Sequence, residues 1–131
     1  MPTIGFPEYA RAIAGVLEAV VDAGLASLTS LQVDHRSPLR GLISGSLVFQ
    51  EGAELHFREF VDVTLEERRV MYAYHYQEAE GALVFRYDNA VHRPRLSQPE
   101  HRHTPGGIAA SSAPTLAQII DEILEMSNAA D

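Results

Sequence analysis

Residues 86–103 concentrate the side chains whose types could do chemistry. A strand-like run, Leu83-Val84-Phe85, leads into Arg86-Tyr87-Asp88-Asn89-Ala90-Val91-His92, and the stretch continues to His101-Arg102-His103. It holds three of the chain's six histidines. Four arginines (86, 93, 95 and 102) face two acids, Asp88 and Glu100, so its formal charge is +2 inside a chain of net charge −8. Histidine exchanges protons near neutral pH, and arginine's planar fork matches phosphate or carboxylate. The expected chemistry is proton transfer beside a bound anion. The same residues permit metal binding: His101 and His103, two apart on an extended segment, point both rings one way. His92 with Asp88 or Glu59 then completes a donor set suited to a divalent metal such as zinc. A third class needs no chemistry, with a sheet as scaffold and the acids Asp121, Glu122 and Glu125 of a closing helix as a partner surface.

The elements that must position these groups read as a small α+β domain. Residues 7–24 form a helix, because Tyr9, Ile13, Val16, Leu17 and Val20 recur every three to four residues. Pro7 suits its first turn, Glu8 its positive end and Gly24 its stop. From Ser27 the apolar period changes to two, and residues 27–88 read as an antiparallel meander of four to five strands. Gly41 and Gly45 share one face of the second strand, which points to a bulge or a close approach to the backbone.

Glu51-Gly52, taken as a two-residue turn, pairs Val48 with Leu55 and Ser44 with Glu59. Glu59 is then a carboxylate within an apolar alternation, where burial disfavours the charged form. Glu80-Gly81, taken likewise, pairs Gln77 with Val84, His75 with Arg86 and Ala73 with Asp88. His75, Gln77, Arg86 and Asp88 then share a face, with cross-strand Cβ atoms about 5.5 Å apart. Residues 89–113 read as a loop, ordered through His103 and mobile from Thr104 to Ser112. Residues 115–127 read as a helix opened by the capping box Thr115-Leu116-Ala117-Gln118. The edges of so small a meander need cover, which a homodimer or the helices would supply.

At 131 residues the chain is one domain's worth, and 46% hydrophobic residues suffice for a core. No run of eighteen apolar residues exists to span a membrane. The N-terminus lacks a basic region before an apolar run, so no signal peptide is read and a cytoplasmic location is expected. The absence of cysteine excludes disulfides and thiolate sites. All ten basic residues are arginine, which a coding bias explains more readily than anion binding. The net acidity argues against broad electrostatic binding of nucleic acid, so such a role needs a local basic patch or a basic partner.

The run MYAYHYQEAEGALVFRYDNAVHRPRLSQPEHRH (residues 71–103) resembles the TumE family, the toxin half of prokaryotic toxin–antitoxin pairs. The matching positions are Gly45, Glu59, Tyr72 to Tyr76 with His75, Arg86 to Asn89, His92, Pro99, His101 and His103. They extend over roughly residues 39–126, and R-Y-D-N-x-x-H followed by P-x-H-x-H carries most of the specificity. Val91 departs from the usual small or proline residue before the loop histidine. The resemblance implies a cytoplasmic toxin held inactive by a cognate antitoxin, with RNA as target by analogy with other small toxins.

Metal-independent RNA cleavage needs a base for the 2′-hydroxyl, an acid for the leaving 5′-oxygen and a cation for the phosphorane charge. On that reading Arg86 grips phosphate, and two of His92, His101 and His103 act as acid and base. Glu59 or Asp88 orients one of them, and His75, Asp88 and Asn89 contact substrate. No cofactor is then required. The plainer readings are an Arg86–Asp88 ion pair fixing the strand exit, Asn89 capping a turn, and His75 as a structural histidine. His35 and His56 read as ordinary surface or edge positions.

Overall fold

The computed structural model describes residues 4–90 and 100–129. Helix α1 (Phe6–Asp22) buries Phe6, Ala10, Ile13, Leu17 and Val20, the stripe that the helical period requires. Its end is set by Gly24, whose φ of +75° lets the chain turn left-handed. The Gly24 N–H then reaches the Val21 carbonyl at 2.9 Å and the Leu25 N–H reaches that of Val20 at 3.1 Å, the two bonds of a Schellman stop. Helix α2 (Leu116–Ala129) begins with the expected capping box. The Gln118 N–H donates to Thr115 Oγ1 (3.2 Å), and the Thr115 N–H donates to Gln118 Oε1 (2.9 Å).

Between the helices lie seven strands, β1 (Ala26–His35), β2 (Arg40–Phe49), β3 (Glu54–Asp62), β4 (Arg69–Gln77), β5 (Leu83–Asp88), β6 (His101–Thr104) and β7 (Gly107–Ala110). They form one antiparallel sheet in sequence order. The last two correct the expectation of a mobile loop over 104–112. Pro105-Gly106 joins them, with Thr104 paired to Gly107. They carry no readable apolar period because each is four residues long and β7 is exposed throughout.

Both helices share one core with a single sheet face, built from Ile43, Leu47, Leu55, Phe57, Val61, Tyr72, Tyr74, Tyr76 and Phe85. Each fully buried side chain of this kind contributes about 1.5–3 kcal/mol. The glycines of β2 are there for close approach. A Cβ on Gly41 would stand 2.2 Å from the Phe6 ring, and one on Gly45 would stand 2.9 Å from the Phe57 ring. Gly41→Ala is therefore expected to overpack the α1–sheet contact at a cost of about 1–3 kcal/mol. A lowered urea midpoint with unchanged m-value checks this.

Register decides which groups meet. A three-residue 3-10 turn, Gln50–Gly52, replaces the expected two-residue turn after β2, with Glu51 at φ +64° and Gly52 at φ +83°. Leu47 therefore pairs with Leu55, and Ser44 pairs with Arg58 instead of Glu59. Relative to β2 the side chains of β3 are flipped from the expected pairing, while Leu55, Phe57, Glu59 and Val61 share one face as expected. At β4–β5 the turn is also one residue longer, since the Glu78 N–H bonds the Ala82 carbonyl. There an irregularity between Tyr76 and Gln77 restores the expected pairs His75–Arg86 and Ala73–Asp88, while Gln77 pairs with Leu83 instead of Val84. Among the described residues no helix is long and apolar enough to cross a membrane.

Candidate functional site

On the sheet face away from the helices, cross-strand pairing lines up two polar rows. Ser46, His56, His75, Arg86 and His103 form one, from β2 to β6. Ser44, Arg58, Ala73, Asp88 and His101 form the next. Neighbours within a row stand about 4.5–5.5 Å apart.

Asp88, 4% exposed, anchors the β5–β6 end. Its Oδ2 accepts the Arg86 Nε–H at 2.8 Å and lies 3.4 Å from His103 Nε2. Its Oδ1 accepts the Ala90 N–H at 3.2 Å and contacts His101 Nε2. Burial pushes the Asp88 carboxyl up, but the Arg86 and Ala90 donors and the facing His101 hold it below the usual carboxylate range. His101 is 1% exposed and meets the His103 ring edge-on at a centroid distance of 4.7 Å. It supports the cluster from below, whereas His103 retains some exposure. The Nε bond to Asp88 is the one hydrogen bond of the Arg86 side chain among the described residues, so its two terminal nitrogens remain available.

His75 flanks Arg86 on the other side. Gln77 donates to Glu54 Oε2 at 3.1 Å, which turns its carbonyl oxygen toward His75 Nε2 at 3.0 Å. That contact assigns the proton to Nε2 and the lone pair to Nδ1. The buried Nδ1 has no partner among the described residues. Burial holds His75 below the ordinary histidine range, against the Gln77 bond and with help from the charges of Arg86 and His56. An open groove of about 410 Å³ runs beside it, lined by Ser30, Ser44, His56, Arg58, Ala73, His75 and Arg86 together with Gly45 and Phe57.

The family model described as Toxin TumE matches residues 7–129. The chain belongs to the TumE toxin family. No curated protein and no solved structure matches it. Membership makes it the toxin component of a toxin–antitoxin system, with a cognate antitoxin as its implied partner.

The TumE positions noted in the sequence divide between the two faces of the sheet. His75, Arg86, Asp88, His101 and His103 converge on the open face. Glu59 does not join them. It is 1% exposed on the helix face, where it accepts hydrogen bonds from Tyr9 and from Tyr74 (2.6 Å). Arg69 extends that network, donating to Tyr74 Oη at 2.9 Å and to the Pro114 carbonyl. Glu59 thereby ties α1, β3, β4 and the approach to α2 together, and its burial on the helix face corrects the expectation that it orients a site histidine. Asn89 is spent on the backbone of β4. Its Oδ1 accepts the Tyr72 N–H at 3.1 Å and its Nδ2 donates to the Val70 carbonyl at 3.2 Å. Arg102 lies on the helix side with Glu122, at 2.7 Å. His92, expected as a catalytic or metal-binding residue, lies outside the described residues, as does Pro99. The groove adds two residues that the sequence reading passed over, His56 and Arg58. A three-residue count for the turn after β2 pairs Arg58 with Ser44, and the separate β3–β4 register, His56 with His75, puts both on the face of Arg86.

Proposed function

We propose that this TumE-family toxin is a metal-independent ribonuclease. The observation that carries the reading is the row His75–Arg86–His103 across three paired strands, beside a groove with no acidic residue in its lining. Arg86, held in place by Asp88, grips the scissile phosphate and stabilises the charge that builds on its oxygens. His75 is kept neutral by burial, which is the state a base needs. The groove runs beside its ring, and its Nδ1 has no partner among the described residues. It takes the proton from the 2′-hydroxyl as that oxygen bonds to phosphorus. The P–O5′ bond breaks, and His103 gives its proton to the departing 5′-oxygen. Asp88, 3.4 Å from His103 Nε2, holds that ring beside Arg86. The products are a 2′,3′-cyclic phosphate and a 5′-hydroxyl, with no redox partner or water consumed.

His75→Ala and His103→Ala are each expected to slow cleavage by about 10²–10⁴-fold. Because the His75 value lies below its ordinary one, the acid limb of kcat/KM should fall below about pH 6.5. That limb should vanish in His75→Ala. The pH–rate profile of a labelled oligoribonucleotide in chelator is the check. A limb unmoved by His75→Ala removes His75 from the base role.

A second reading is favoured by one observation. Asp88, His101 and His103 offer donor atoms within 4.8 Å of one another, and two imidazoles with a carboxylate suit zinc or a similar divalent ion. Stoichiometric zinc in the purified protein, lost from a His101→Ala/His103→Ala variant, would select it.

A further inference from the structure

We infer that Arg58 marks a second phosphate subsite, so that the groove takes single-stranded RNA across at least two successive phosphates. This rests on the ribonuclease reading and extends it from the scissile phosphate to the next along the strand. The chain carries 18 acidic residues against 10 arginines, yet none of the nine residues lining the groove is acidic. Most arginines of this acidic chain sit on carboxylates: Arg11, Arg36, Arg40, Arg69, Arg86 and Arg102 each have one within 4.0 Å. Arg58 is exposed and has no side-chain hydrogen bond or ion pair among the described residues. Its cross-strand neighbours, Ser44 and Ala73, are both small and leave its guanidinium open to the groove.

The sheet sets the spacing. Arg58 and Arg86 are two strands and one row apart, which is about 12 Å between their backbones. Arg86 is tethered to Asp88 on its own strand, so its guanidinium stays over β5. Successive phosphates of one strand match two arginines set that far apart. Beyond Arg58, Ser46 Oγ contacts Thr29 Oγ1 (2.6 Å) and Ser30 Oγ (2.8 Å). These hydroxyls extend the groove with neutral donors and acceptors for sugar or base edges. A guanidinium against a polyanion supplies local attraction that the net charge of the protein opposes, so affinity must come from this groove.

The test uses the full chain and RNA that is bound without being cut. A labelled 2′-O-methyl decamer is titrated by fluorescence anisotropy at several salt concentrations, and a 2′-O-methyl dinucleotide with one phosphate is measured by competition. Arg58→Gln is expected to weaken the decamer about tenfold, the size of one charge-assisted contact. It should also lower the slope of log K against log salt by about 0.7. The dinucleotide should be unaffected, while Arg86→Gln weakens both and Arg58→Lys restores the slope. A decamer affinity unchanged by Arg58→Gln, or equal losses for both ligands, overturns the second subsite and leaves the ribonuclease reading standing. Wild-type protein that binds neither ligand overturns both.

Discussion

Arg86→Gln is expected to lower RNA cleavage by about 10²–10³-fold, the loss that follows removal of one preorganised donor to a developing oxyanion. The side chain is placed for that role and little else. Asp88 fixes its Nε, His75 and His103 stand on its two sides, and its free edge meets the groove. Glutamine removes the charge and the fork. Asp88 keeps the Ala90 N–H and His101, so the folding cost is limited to about 1–3 kcal/mol. Arg86→Lys should fall between, because a point charge cannot make the bidentate contact. Single-turnover rates, with urea midpoints measured in parallel, separate the catalytic loss from the structural one. Rates for Arg86→Gln within twofold of wild type would reduce the Arg86–Asp88 pair to a strand-exit ion pair.

Asp88→Ala should have the largest effect on stability, about 3–5 kcal/mol, the cost of breaking a buried ion pair by removing one partner. Asp88 is almost fully buried, and its loss removes one partner from each of Arg86, His101 and His103. Its pH dependence has a definite sign. The folded-state value is depressed below 3.8, so the contribution is fully present above the unfolded-state value and is lost as pH falls through the folded one. Wild-type stability should therefore drop below about pH 4, and Asp88→Asn should lose that portion of the drop. Urea melts across that range read both effects. Equal midpoints for Asp88→Ala and wild type at neutral pH would contradict the buried cluster.

How far such a site can be read from sequence depends on counting turns. The helix ends were legible because Gly24 and the Thr115–Gln118 box carry local signals. Pairing of His75 with Arg86 and of Ala73 with Asp88 was also legible, although for a partly cancelling reason. The turn is one residue longer than Glu80-Gly81 alone, and the irregularity at Tyr76/Gln77 compensates for it. No such compensation exists after β2. There Glu51 adopts a left-handed conformation that sequence rules assign to glycine, and the extra residue pairs Ser44 with Arg58 in place of Glu59. Glu59 was a site candidate through the TumE resemblance, and its alternation with Leu55, Phe57 and Val61 belongs to the core face that the structure gives it. Strands β6 and β7 were hidden for another reason. A hydrophobic period cannot announce two four-residue strands whose role is to hold His101 and His103 against Asp88. The alternation of the two rings to one face was nevertheless correct, because it needed only an extended backbone.

Protons from histidine, rather than a metal ion, are expected to drive the cut. The most direct measurement is the chemistry of the ends of RNA fragments produced by the purified protein in excess chelator. A 2′,3′-cyclic phosphate on one fragment and a 5′-hydroxyl on the other is the predicted result. Cleavage abolished by chelator, or fragments ending in 3′-hydroxyl and 5′-phosphate, would contradict it.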